Sequence, residues 1–143
     1  MNSMFLSLKK LDDGSPAWDL ALNASGNIIL ATGSYAVAQN IATAARTFLG
    51  ECWYDTTKGV PYSQQILGQM PSYQFMKARF VAAALTIRGV ASAQCFLTGP
   101  GRVARTIGGQ IQARLTNGTI VVVTSPEIGV APWYAQAVNV YAL

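Results

Sequence analysis

The sequence predicts an α+β fold with an N-terminal β-hairpin, two main helices with a short helix between them, and a closing antiparallel sheet. In the middle of the chain, apolar residues recur at intervals of three and four, which is typical of helices. Towards both ends they alternate with polar residues or form short runs between turn residues, which is typical of strands. The chain has 143 residues, 51% of them hydrophobic, so it is long and apolar enough to form its own core.

The N-terminal hairpin is predicted between residues 18 and 31. Trp18–Leu22 and Ile28–Ala31 read as short strands, and Asn23–Asn27 supplies the polar residues and the glycine of a turn. The first main helix follows. We expect Gly33-Ser34 to cap it and Gly50 to end it.

The second main helix is predicted from Pro71-Ser72 to Gly89, and Ser63 is expected to cap a short helix before it. Its apolar positions are so widespread that we expect other elements to cover it on most sides. One predicted face carries Phe75, Ala78, Ala82 and Leu85, and Met76, Phe80, Ala83 and Ile87 lie beside it.

The closing sheet is predicted from strands Val90–Leu97, Val103–Leu115 and Thr119–Val123, with turns at 98–101 and at Asn117-Gly118. Both residues of the second turn tolerate the positive φ angles of a type I′ hairpin. We predict one domain over residues 1–125 and an extended arm over 126–143. The long strand should turn Ile107, Gly109, Ile111, Ala113 and Leu115 towards the helices, and Gly108, Gln110, Gln112 and Arg114 away from them.

Composition excludes several classes of function. The chain contains no histidine and two cysteines, Cys52 and Cys95, so we expect no metal site, no cofactor and no histidine-dependent catalytic triad. The ten basic residues are scattered, which argues against nucleic-acid binding. The apolar run Phe80–Ile87 is too short to span a membrane. Charged residues are only 11% of the chain, which predicts a surface largely covered by other proteins.

Glu51 and Asp55 are the one pair of acidic residues close together in mid-chain. A glycosidase needs two carboxyl groups about 5–9 Å apart, and this pair is the candidate for such a reaction. The alternative, which we favour, is structural: Asp55 caps a turn and Glu51 binds backbone or an arginine. Among the nearby aromatics we expect Trp53 in the core, whereas Tyr54 and Tyr62 fit either core or interface.

The segment Gly50–Tyr62, followed by Ile66-Leu67-Gly68, resembles the baseplate wedge protein, or sheath initiator, of contractile-tailed phages. Members of that family carry Gly-Glu-x-aromatic-x-Asp-x-x-x-Gly-Ile/Val-Pro-aromatic after a first helix. Ile87–Ala93 resembles the family's passage from its long helix into its closing sheet, and the order of elements agrees from Leu20 to Val123. The structural motif implied here consists of Glu51, Trp53, Tyr54, Asp55, Gly59, Pro61 and Tyr62.

The resemblance implies a structural role and no enzymatic activity. Six copies would ring the tail tube and offer sheet edges to sheath strands, and the partners would be the tail sheath protein, the tail tube protein and other baseplate wedge proteins. The protein would reside in the virion baseplate after assembly in the host cytoplasm. Better-known members carry a Glu-Pro-Arg triplet where this chain reads Ile87-Arg88-Gly89, so Arg88 alone would keep that contact with the wedge core. The expected partner-binding residues are Arg88, Gln110, Gln112, Arg114, Trp133 and Tyr134.

Two alternatives stay open from the residues alone. One is a muramidase that uses Glu51 and Asp55, in keeping with the lysozyme-like label the family often carries. The other is an unrelated α+β module that binds an acidic protein.

Overall fold

The computed structural model describes residues 3–14, 16–69, 71–99, 107–125 and 134–135. Its strands and helices confirm the predicted α+β class. The elements in chain order are β1 (Ser3–Met4), β2 (Leu6–Lys10), β3 (Pro16–Leu20), β4 (Leu30–Ala31), α1 (Gly33–Arg46), one turn of π-helix (Tyr62–Ile66), α2 (Tyr73–Leu85), β5 (Val90–Thr98), β6 (Gly108–Leu115), β7 (Ile120–Ser125) and β8 (Tyr134–Ala135).

The N-terminal part contains the predicted turn within a larger arrangement of strands. The Asn23 side-chain oxygen accepts hydrogen bonds from the backbone N–H groups of Ser25 and Asn27 at 2.9 and 3.0 Å, so the turn forms as expected. Beyond the bridge between Leu22 and Ile28, however, the two arms of the hairpin separate. β3 pairs with β2 and β4 pairs with β1, and the predicted elements include neither β1 nor β2.

Gln39 on α1 links these strands to the helix through hydrogen bonds. Its side-chain amide donates to the Met4 carbonyl at 2.7 Å and accepts from the Leu6 N–H at 3.0 Å. The cap position of α1 is occupied by Thr32, so the predicted cap at Gly33-Ser34 is wrong. The amide of Gln39 thus replaces, at the corner between β1 and β2, the partner strand that those backbone groups would otherwise need.

α2 begins as predicted, because Ser72 Oγ accepts a hydrogen bond from the Phe75 N–H at 3.2 Å. The short helix before it differs from the prediction. It is a wide turn in which the Leu67 N–H donates to the Tyr62 carbonyl, and Pro61 rather than Ser63 occupies the cap position.

The prediction that other elements cover α2 on most sides is wrong. One face of the helix is buried, centred on Met76, Phe80 and Ala84. On the other side Ala82 and Leu85 are exposed. The spacing of apolar residues does not identify the buried face of α2. Two faces are equally apolar, because alanine fits a buried or an exposed position.

The closing sheet has the strand order β5-β6-β7-β8 and is antiparallel throughout. The predicted faces of the long strand are confirmed from residue 109 onwards, since Gly109, Ile111, Ala113 and Leu115 are buried. The strand begins at Gly108, and its predicted first residues, 103–106, lie outside the described part of the chain. The same is true of the predicted arm 126–143, apart from β8.

The turn between β6 and β7 is not the predicted type I′. Of its two signal residues only Gly118 has a positive φ, at 87°. The Gly118 N–H donates to the Leu115 carbonyl at 2.9 Å, and the Leu115 N–H donates to the Thr119 carbonyl at 2.8 Å. These bonds define a three-residue loop, a type I turn followed by a left-handed glycine.

The core lies between the inner face of this sheet and the two helices. The largest wholly enclosed side chains are Tyr62, Phe80, Ile41, Met76 and Ile111. The remaining buried members are mainly alanines of α1 and α2 and valines of β7, which allow the helices to approach the sheet closely.

Candidate functional site

The motif segment from residue 47 to residue 61 folds back against the end of α1. Phe48 and Val60 form a parallel bridge, with the Leu49 N–H donating to the Val60 carbonyl and the Val60 N–H donating to the Thr47 carbonyl, each at 2.9 Å. Gly59 has φ of 112°, and a Cβ atom there would lie 2.5 Å from the Phe48 carbonyl oxygen. Only glycine therefore allows the two strands of this bridge to come together.

Both motif carboxylates are used inside the segment. The Glu51 carboxylate accepts a hydrogen bond from the Phe48 N–H at 2.8 Å. Asp55 Oδ1 accepts from the Thr57 hydroxyl at 2.6 Å and from the Thr57 N–H at 3.1 Å, and Lys58 Nζ lies 3.7 Å from its other oxygen. The Thr57 hydrogen bonds hold the pKa of Asp55 below its usual value.

A glycosidase requires a carboxyl group that is free to donate a proton to its substrate, whereas Glu51 and Asp55 both accept hydrogen bonds from their own segment. The geometry therefore favours the structural interpretation of Glu51 and Asp55 over the muramidase. Glu51 and Asp55 thus each stabilise the segment by accepting a hydrogen bond from one of its own backbone N–H groups.

The motif aromatics divide into a buried anchor and an exposed pair. Tyr62 is buried, its hydroxyl donates to the Ala45 carbonyl, and its ring packs 4.8 Å from that of Phe48 between centroids. Trp53 is 89% exposed and Tyr54 is 66% exposed, with their rings edge to face at 5.8 Å. The expectation that Trp53 belongs to the core is wrong. Trp53 lies in a turn in which the Asp55 N–H donates to the Cys52 carbonyl at 3.0 Å, and its side chain is open to solvent.

A groove of about 770 Å³ lies between α1, the motif segment and α2. Its cationic groups are Lys58, Arg79 and Arg88, so the predicted contact residue Arg88 lies at this groove beside the motif residues Tyr54 and Asp55. Small side chains form much of the wall, which leaves room for another chain. The buried Nδ2 of Asn40, also in the lining, has no hydrogen-bond partner among the residues that the structure describes.

The other expected contact residues lie on the sheet, away from the groove lining. Gln110, Gln112 and Arg114 are on the outer face of β6, opposite Phe96, Gln94 and Ser92 of β5. Tyr134 is in β8, opposite Thr124. Trp133 lies outside the described residues.

The strand order determines where the sheet has edges. β6 is an inner strand, with β5 on one side and β7 on the other, so its backbone groups are already paired. The longest edge among the described strands belongs to β5, nine residues that contain neither a charged residue nor a proline. That β5 is an edge was not predicted, and no local sequence pattern signals it, because the edge follows from the strand order.

The part of the chain that the structure describes contains neither a metal-binding cluster nor a membrane-spanning helix. Nowhere in them do three His, Cys, Asp or Glu side chains gather as a metal site would require. No helix within the same ranges is long and apolar enough to cross a membrane.

Residues 10–118 match the family model of the contractile injection system sheath initiator. The matched region includes the motif segment, both helices, β5 and β6. No curated protein matches the chain.

Proposed function

The chain belongs to the contractile injection system sheath initiator family, and we propose that it starts the sheath by lending the free edge of β5 to a strand of a sheath subunit. Family membership makes it a structural component that initiates the sheath. Beyond family membership, we propose that a strand is added, that β5 is the edge it joins, and that the partners are those named below.

The observation that carries the proposal is the composition of β5. An edge strand presents unpaired N–H and C=O groups, and proteins that do not use such an edge usually block it with lysine, proline or a bulge. β5 has a bulge only at its start, between Val90 and Ser92. From Ala93 to Thr98 it is regular and uncharged, and Phe96 is 47% exposed. Strand addition would pair these backbone groups and cover that ring.

The sheet gives this edge a rigid support. The inner face of β5 packs through Cys95, Ala93 and Leu97 on the core, and α2 lies against the same strand. A strand held in this way does not need to be ordered when a partner binds, which reduces the entropic cost of association. β7 would offer a shorter alternative edge, since in the described part of the chain β8 pairs with Val123 and Thr124 alone.

Side chains on the outer face of β6 would add contacts to a subunit bound at the β5 edge. Gln110, Gln112 and Arg114 lie one strand inwards from β5, within reach of side chains on a subunit that pairs with it. Glutamine and arginine suit a half-wet interface, and we propose them as contacts that set the register. The arm 126–143, with Trp133, is proposed as a further contact with the sheath.

The groove is proposed as the attachment to a baseplate wedge protein. Its three cations face one acidic side chain, Asp55, so the groove favours a partner with acidic side chains. Arg88 takes part in no ion pair with the residues that the structure describes, which leaves its guanidinium available. An Arg88→Glu variant should lose the wedge, whereas Arg46→Glu, an exposed change on α1 outside the groove lining, should not.

The remaining parts of the proposal concern the assembly. We propose six copies around the tail tube, in contact with the tube protein, in a baseplate put together in the host cytoplasm. The low charge content, 11% of residues, supports a molecule whose surface is mostly covered.

The experiment compares two double variants in a sheath polymerisation assay that is seeded by this protein. Gln94→Lys with Phe96→Lys adds charges to the edge strand, and Gln110→Lys with Gln112→Lys adds the same charges directly opposite on β6. We expect the edge variant to seed no sheath and the inner-strand variant to seed with reduced efficiency at most. If only the inner-strand variant fails, sheath subunits bind the face of the sheet and the edge proposal is wrong.

A further inference from the structure

The register of the closing sheet determines which backbone groups of β5 are unpaired at its free edge. The Leu115 N–H donates to the Thr119 carbonyl at 2.8 Å, so the backbone groups of Leu115 and of every second residue before it point towards β7. The intervening residues of β6 therefore bond to β5, where Gln112 is opposite Gln94. The backbone groups of β5 that point out from the edge are those of Ala93, Cys95 and Leu97.

One side of α2 borders this edge. α1 lies over β7 and β8, whereas α2 lies over β5, so the side of α2 turned towards α1 lines the groove with Arg79 and Ala83. Lys77 and Val81 lie on the opposite side of α2, since successive residues are about 100° apart around a helix. Both are half-buried, and they are one helical turn apart. The side of α2 that carries them therefore faces the free edge of β5.

Two observations place Lys77 near the middle of the edge. A Cβ atom at Gly99, directly after β5, would lie 3.4 Å from the Tyr73 hydroxyl, so the first turn of α2 meets the end of β5. Lys77 follows Tyr73 by one turn, and α2 runs back along the strand because only the short connection 86–89 joins them. Burial raises the pKa of the Cys95 thiol to about 11 and the charge of Lys77 opposes that rise, so the ammonium group lies near the thiol.

The charge of Lys77 is not balanced by the elements around it. α2, β5 and β6 contain no acidic residue. Lys77 forms no ion pair with any residue that the structure describes. A half-buried ammonium group beside an apolar strand is thus available to a carboxylate brought by another chain, and such a partner would stabilise it.

We propose that Lys77 selects the strand that joins β5, by pairing with an acidic side chain of the sheath strand opposite Cys95. This inference rests on the proposed strand addition. A residue directly opposite Cys95 places its side chain on the same face of the sheet, which is the face that α2 covers. The residues two positions to either side would face Val81 and Tyr73. The sheath strand should therefore carry an apolar, an acidic and an apolar residue at alternate positions.

The same lysine disfavours pairing between the β5 edges of two copies. Antiparallel pairing centred on Cys95 would bring the two Lys77 side chains together without a carboxylate between them, and like charges in an interface are costly. An inward-pointing charge is one of the means by which proteins keep an edge strand from self-association. Lys77 thus accounts for how a strand without charge or proline stays free for the sheath.

The test measures the affinity of the full chain for the sheath subunit. Lys77→Met removes the charge while keeping an unbranched side chain, and we expect it to bind about ten-fold more weakly. Lys77→Glu adds repulsion and should bind at least about 100-fold more weakly. Lys77→Arg keeps the charge and should stay within about three-fold of the wild type. Arg46→Glu is the matched control, because it makes the same change of charge at an exposed position of α1 and should bind like the wild type.

Hydrogen–deuterium exchange of β5 in the same complexes separates this inference from the strand addition. If binding protects β5 and Lys77→Met binds as tightly as the wild type or more tightly, the selecting role of Lys77 is overturned and the strand addition stands. If Arg46→Glu weakens binding as much as Lys77→Glu, the effect is one of net charge and the inference is equally wrong. Absence of protection in the wild-type complex would overturn both. Lys77→Gln replaces Lys77→Met if that variant unfolds or aggregates.

Discussion

Replacing Gly59 by alanine tests the packing of the motif segment most severely. The added Cβ would lie 2.5 Å from the Phe48 oxygen, 2.6 Å from the Phe48 carbonyl carbon and 2.7 Å from the Leu49 nitrogen. All three are backbone atoms, so no side chain can move aside to make room. The φ of 112° is also unfavourable for any residue with a Cβ.

The cost has two sources. Holding a non-glycine residue in this region of φ costs about 1–3 kcal/mol. Relief of the contact requires the parallel bridge to open, which gives up two backbone hydrogen bonds at about 0.5–1.5 kcal/mol each. We therefore expect Gly59→Ala to lose about 2–6 kcal/mol of the free energy of unfolding. At about 2–4 °C per kcal/mol for a chain of this size, the melting temperature should fall by roughly 4–24 °C.

The assay is urea and thermal unfolding of Gly59→Ala beside Gly50→Ala. Gly50 also has a positive φ, 86°, but a Cβ there would meet nothing within 4 Å. The control should lose only about 1–2 kcal/mol, the cost of the left-handed conformation itself. A third variant, Gly59→Asn, tolerates positive φ better than alanine yet keeps the clash, and it should be as damaging. Equal losses for Gly59→Ala and Gly50→Ala would refute the argument from backbone contact.

Three further predictions concern the turns and the thiols. Asp55→Ala should lower the melting temperature at pH 7. Since the pKa of Asp55 is held below 3.8, this difference from the wild type should persist above pH 4 and shrink as the pH falls further, because protonation then removes the same interaction. Ser72→Ala should cost about 1 kcal/mol through loss of a helix cap, while Ser63→Ala, which removes no cap, should leave urea unfolding unchanged. Burial raises the pKa of Cys95 to about 11, so iodoacetamide at pH 8 should label Cys52 in the native protein and reach Cys95 only on unfolding.

The features that the sequence predicts well are those that local chemistry determines. Ser72 caps α2, Asn23 organises the first turn and the alternation in β6 assigns its faces, because each depends on neighbouring residues alone. The motif itself was recognisable because its glycine and carboxylate have fixed roles.

The features that the sequence misses depend on distant contacts. β1 and β2 pair with the distant strands β4 and β3, and Gln39, more than thirty residues along the chain, bonds to their backbone at Met4 and Leu6. The buried face of α2 was ambiguous because its alanines fit either environment. Trp53 was predicted in the core, but it lies in an exposed turn. The edge at β5 follows from strand order, which no local pattern encodes.

Hydrogen–deuterium exchange of the protein with and without its sheath subunit tests the central claim most directly. An added strand would pair the outward amides of Val90–Thr98, which in the free protein exchange through an open edge. The account predicts strong protection of β5 on binding, with β6 unchanged because both its sides are already paired. Binding of the sheath subunit that leaves the exchange of β5 unaltered would contradict it.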